Sequence, residues 1–223
     1  MPLLIYFSIN WDSKKIIDGL TVEGNEYVPQ KVIRALLADT LYKKEKGKIE
    51  LSKIRRTIED YPFVRKADVM FSSEDELKLI LKMRKPVARF GNDRSGLHFT
   101  AEDGSIMPYL FFDNFSHLPL LRNCFTGNII DSTKFGLALA LLNNINEKYP
   151  ITSGLLAEIV MNTDSTIALV LKRNNIKVIF NDTLKKKEKL DKLEIFMKKY
   201  LLTKHKREIG TIDLRWSRQV VVF

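Results

Sequence analysis

Between Val32 and Met83 the spacing of apolar residues switches from one period to another, and that switch constrains the fold more than any other feature of the chain. Val32, Ile33, Leu36, Leu37 and Leu41 recur at three and four residues, and so do Leu51, Ile54 and Ile58. Both runs predict helices. Pro29 suits a first helical turn, Gly47 breaks the polar link between the two, and Tyr61-Pro62 stops the second. From Val64 the period becomes two, imperfectly at first: Val64, Ala67, Val69 and Phe71, then Leu77, Leu79, Leu81 and Met83, with Ser72-Ser73-Glu74-Asp75 as the turn between them. Upstream, Leu20 and Val22 alternate within Lys15–Glu23 until Gly24-Asn25, which adds a short first strand. The order is strand, helix, helix, strand, strand. Its sound two-layer solution places both helices on one face of a three-stranded sheet.

Past Pro86 the texture changes. Gly91, Gly96 and Gly104 mark turns between short strands, and Phe135, Ala138, Leu139, Leu142 and Ile145 give a helix over about Ser132–Lys148, terminated by Tyr149-Pro150. Strands are predicted at about 155–162, 166–172 and 175–180, joined by polar links short enough for antiparallel hairpins. Thr183 is placed to cap a further helix whose buried stripe is Leu190, Leu193, Phe196, Met197, Tyr200 and Leu201. A single closing strand follows from Gly210 to Phe223.

The formal charge of +10 is concentrated: ten basic residues stand against four acidic ones between Lys185 and Glu208. A solvated helix face explains such a run, ahead of an acidic partner or anionic membrane surface and, last, nucleic acid. Catalysis has no anchor. His98, His117 and His205 lack metal-type spacing and read as loop or surface histidines, and Cys124 reads as a small apolar residue. The glycines form no phosphate-binding pattern, and Tyr27 reads as core. No metal or cofactor is expected. The apolar run Pro2–Ile9 is too short to span a bilayer and is either a first strand or the tail of a membrane segment.

Val22-Glu23-Gly24-Asn25, Leu51 to Ile58, Tyr61-Pro62-Phe63-Val64-Arg65-Lys66-Ala67-Asp68-Val69 and Lys85-Pro86-Val87-Ala88, taken in order, resemble a POTRA domain. Asp103-Gly104-Ser105-Ile106-Met107-Pro108, then His117-Leu118-Pro119-Leu120-Leu121, and the closing Ile212-Asp213-Leu214-Arg215-Trp216 resemble the FtsQ/DivIB family of bacterial cell-division proteins. The resemblance implies an α+β chain: an N-terminal segment at 1–15, a remnant of a membrane anchor; a POTRA domain (β-α-α-β-β) at 16–88; and an FtsQ-type β domain at 89–223, a larger antiparallel sheet with flanking helices.

It also implies a function without chemistry. A scaffold of this kind binds FtsB/FtsL-type partners by strand addition, links early division proteins to the septal peptidoglycan synthases, and sits in the inner membrane with this region periplasmic. Carried over by motif, the partner-binding residues are Arg215, Trp216, Ser217 and Arg218, with Tyr200, Lys198 and Lys199 extending the surface. Asp213 and Arg215 pairing on the solvated face, with Trp216 packed on the core, is the structural alternative. A POTRA-bearing outer-membrane assembly or secretion factor is the rival function; it would need further POTRA copies or a β-barrel, and neither follows residue 90.

Overall fold

The computed structural model describes residues 13–41, 44–92, 96–110, 115–181, 186–202, 209–216 and 219–223. Residues 1–12 of the N-terminal segment, Thr183 and His205 lie outside these residues. Two compact units divide the chain, Met1–Lys85 and Pro86–Phe223.

In the first unit, β1 (Gly19–Glu23) is followed by α1 (Gln30–Leu41), a 3-10 turn at Lys46–Lys48, α2 (Leu51–Glu59), β2 (Val64–Phe71) and β3 (Glu76–Met83). The sheet order is β1-β3-β2, with β1 parallel and β2 antiparallel to the central strand. Alternation decides which face is covered: Leu77, Leu79 and Leu81 are buried, while Ile80 between them is exposed. Ile33 and Leu37 of α1 and Ile54 and Ile58 of α2 supply the helical side of the core. Gly24 turns the chain out of β1 at φ 76°, where a Cβ would stand 2.1 Å from the Leu81 carbonyl oxygen. Both margins of this sheet are tied to side chains. Arg34 donates to the Leu20 carbonyl at 2.8 Å, and Glu59 accepts the Ala67 N–H at 3.0 Å.

The second unit is built on a nine-stranded sheet. Its strands are β4 (Pro86–Asn92), β5 (Gly96–Ala101), β6 (Ile106–Pro108), β7 (Leu120–Arg122), β10 (Leu156–Met161), β11 (Thr166–Leu171), β12 (Lys177–Asn181), β13 (Thr211–Asp213) and β14 (Val221–Val222). The small hairpin β8 (Phe125–Thr126) and β9 (Ile129–Ile130) forms a separate two-stranded sheet whose Phe125 and Ile130 pack on the same core. Across the large sheet the order is β14-β13-β12-β11-β10-β7-β4-β5-β6.

That sheet corrects the antiparallel expectation. β4–β7, β7–β10 and β12–β13 are parallel pairs, so the sheet is mixed. A parallel neighbour requires a long crossover, usually helical. Here α3 (Ser132–Lys148) and α4 (Pro150–Leu155) carry the chain from β7 to β10, and α5 (Lys186–Leu202) carries it from β12 to β13. Phe135, Leu142 and Ile145 of α3 and Leu190, Leu193 and Met197 of α5 join Leu121, Ile159, Leu169 and Val178 in one core. Asp131 caps α3 by accepting the Lys134 N–H at 3.0 Å. Gly91 proves to lie inside β4 and not at a turn: a Cβ there would meet the Gly96 carbonyl oxygen at 2.2 Å.

Candidate partner-binding edge

The closing segment, expected as one strand, is two short strands folded back on each other. Asp213 causes the break. Its carboxylate accepts the backbone N–H of Arg215 at 2.9 Å, a side-chain-closed turn that competes with continued extension. The Arg215 guanidinium then grips the same carboxylate, Nε lying 3.0 Å from both oxygens and Nη2 2.7 Å from Oδ2. Leu214 donates to the Ile179 carbonyl at 2.8 Å, so pairing with β12 persists one residue beyond β13. After the corner, Val221 and Val222 return antiparallel, opposite Asp213 and Ile212.

The ladder fixes what the edge offers. Thr211 and Phe223 exchange both backbone hydrogen bonds, at 3.2 and 3.0 Å. The next pair, Ile212 and Val222, is therefore of the type that makes no mutual bonds, and the N–H and C=O of Val222 point away from β13. Because β14 is the end strand of the sheet among the described residues, those groups face its outer side. Around them Trp216 is 59% exposed, Phe223 72% and Val222 39%. The opposite end of the sheet is β6, where Pro108 supplies no donor.

Of the residues singled out in the sequence, Arg215 and Trp216 lie together at this corner and are exposed. Asp213 and Arg215 do pair, but Trp216 is not packed on the core. Ser217 and Arg218 lie outside the described residues. Tyr200 belongs to the core: it is buried on α5 and stacks on Phe196 with ring centroids 6.1 Å apart. Lys198 and Lys199 are exposed on the same helix. The lysine run does not act as one face, since Lys189 is buried and Lys192 pairs with Glu188 at 2.6 Å.

Val222 and Phe223 were not singled out. The apolar run at the end of the sequence is their signal, but its register, and hence the outward turn of Val222, depends on the corner at Asp213.

Charge at the corner is ordered. Hydrogen bonding from Arg215 holds the Asp213 carboxyl below the ordinary aspartate range against the cost of its burial, with a smaller contribution from Lys189. The same carboxylate raises Arg215 above its usual value. Asp164, lowered chiefly by hydrogen bonds from Thr166, also feels the Arg215 charge. His98, on β5, faces the Phe90 ring at 5.7 Å, and His117 is exposed. Cys124 is buried, and desolvation pushes its thiol up to about 11.

An end strand with outward backbone groups, beside an exposed Trp and Arg, is the edge by which sheet proteins accept a further strand. A family model described as FtsQ/DivIB, C-terminal related, matches residues 85–222, and the chain belongs to that family. Its role is accordingly in cell division. No curated protein matches the chain.

Proposed function

We propose that the chain is a non-enzymatic division scaffold whose second unit takes an FtsB/FtsL-type partner as an added strand along β14. The outward N–H and C=O of Val222, beside exposed Trp216 and Phe223, carry the reading: main-chain groups supply register and the aromatic side chains supply contact area. Arg215 is held at the corner and adds a charged contact. The strand-helix-helix-strand-strand order of the first unit supports its reading as a POTRA domain, spanning 16–88 in the sequence, with the β domain from residue 89. In the family's manner this region stands on the periplasmic side of the inner membrane at the septum, tied to an anchor through residues 1–15, and connects its partners to the septal peptidoglycan synthases. Among the described residues no helix is long and apolar enough to cross a membrane.

Val222→Pro is the decisive test. Proline is tolerated on an edge strand where its missing N–H faces outward, so the β13–β14 pairing survives while the edge loses a donor and gains a ring. In a titration with the soluble C-terminal segment of the FtsB-type protein of the same organism, Val222→Pro and Trp216→Glu should abolish binding at unchanged circular dichroism. Wild-type affinity in both variants would refute strand addition at β14.

A further inference from the structure

Among the described residues, few groups hold the corner that carries Arg215 and Trp216. Leu214 anchors its start through the Ile179 carbonyl, and beyond that point the described contacts of Arg215 run to one carboxylate. Asp213 accepts from the Arg215 main chain and, by two side-chain nitrogens, from its guanidinium. A planar fork on a carboxylate fixes orientation as well as distance, which an ammonium on a flexible stem does not. The two partners differ in exposure in a telling way: the Asp213 side chain is 6% exposed and that of Arg215 48%. One end of the pair is sunk in the domain and the other stands at the surface.

Resting on the strand-addition reading, we propose that Asp213 is the positioning residue of this edge: it touches no partner, but its carboxylate sets the direction of Arg215 and the place from which Trp216 meets the incoming strand. The lowered Asp213 carboxyl agrees with this, since the group is kept ionised and ready to hold Arg215. Its neighbours on both sides are charged: Lys189 of α5 acts on Asp213, and Asp164 of the β10–β11 turn acts on Arg215. The corner is thereby referred to two other elements of the unit.

Binding of the same FtsB-type segment is compared across Asp213→Asn, Arg215→Gln, Arg215→Lys, the double variant Asp213→Asn/Arg215→Gln and Val222→Pro. All carry Trp11→Phe, so that fluorescence reports Trp216 alone. Asp213→Asn should weaken binding roughly tenfold and lower the anisotropy of Trp216 at unchanged circular dichroism, and the double variant should bind within about twofold of Arg215→Gln, because coupled residues are not additive. Arg215→Lys keeps the charge and loses the fork, so it should weaken binding similarly; it serves as the test should Asp213→Asn fail to fold. Wild-type affinity in Asp213→Asn or Arg215→Lys, or a double variant weaker by the product of the singles, overturns the positioning role while Val222→Pro still abolishes binding. Unchanged binding in Val222→Pro overturns the strand-addition reading, and the positioning role with it.

Discussion

Glu194→Ala should destabilise the second unit by an amount the structure lets one work out. Glu194, half-buried on α5, accepts three hydrogen bonds from the start of α4: the Ile151 N–H at 2.9 Å, the Thr152 N–H at 3.0 Å and the Thr152 hydroxyl at 2.7 Å. It is the N-terminal cap of α4, supplied by another helix. Truncation frees all three donors, but they do not suffer equally. Ile151 is only partly buried and regains water, whereas Thr152 is fully buried and cannot. At about 1–3 kcal/mol for each buried unsatisfied group, the two Thr152 donors give about 3 kcal/mol in total. For a unit of this size that lowers the unfolding midpoint by about 6–12 °C. Glu194→Gln keeps one acceptor oxygen and should cost about 1 kcal/mol. Thermal melts by circular dichroism, with hydrogen exchange assigning the transition to the second unit, read both values. A double-mutant cycle with Thr152→Val isolates the pair and should return about 1–2 kcal/mol of coupling. A loss below about 0.5 kcal/mol, the range of ordinary surface changes, would refute the reasoning.

Acid should act partly through Asp213. Its folded pKa lies below the unfolded value, so its stabilisation is present above about pH 4 and is lost as pH falls through the folded value; melts should be flat from about pH 7 to 5 and fall below about 4, and more shallowly in Asp213→Asn. Cys124 has the opposite sign: raised to about 11, it stabilises the fold below the unfolded thiol pKa near 8.5 and loses that contribution as pH climbs toward 11. At pH 8 its alkylation by iodoacetamide should follow unfolding; labelling at the rate of a free thiol would disprove its burial. Gly24→Ala should destabilise the first unit by about 3 kcal/mol or more, since the new methyl meets backbone at 2.1 Å in a left-handed conformation; a melt within about 0.5 kcal/mol of wild type would contradict that geometry.

Helices and strands were legible wherever periodicity runs long. Val64–Phe71, Ser132–Lys148 and Leu51–Glu59 fall where apolar spacing and the flanking turn residues place them. Tyr149-Pro150 stops α3 as its sequence predicts, yet proline is also suited to the first turn of a helix, and Pro150 opens α4. The short polar links mark the antiparallel β10–β11 and β11–β12 hairpins as expected, but the parallel pairs β4–β7, β7–β10 and β12–β13 lie across long connections, and pairing across those requires knowing which strands are neighbours. At the candidate edge, Arg215 and Trp216 could be named from the motif. The corner could not, because it depends on a carboxylate closing on the residue two ahead, and alternation alone carries Ile212 to Leu214 straight on. Tyr200 shows the converse: the apolar stripe of α5 places it in the core, where it lies, while the motif places it on the partner-binding surface.

Among the described residues β14 pairs only with β13, and β13 reaches β12 only after the chain has passed through α5. The outermost rung therefore depends on a long-range closure and should be the last to assemble and the first to come undone. On the strand-addition reading, a newly made chain would have no edge to offer a partner until its lysine-rich helix had settled. Warmed toward its transition, the Glu194→Ala protein should lose its partner before its far-ultraviolet signal moves; simultaneous loss would mean that edge and helix come apart as one.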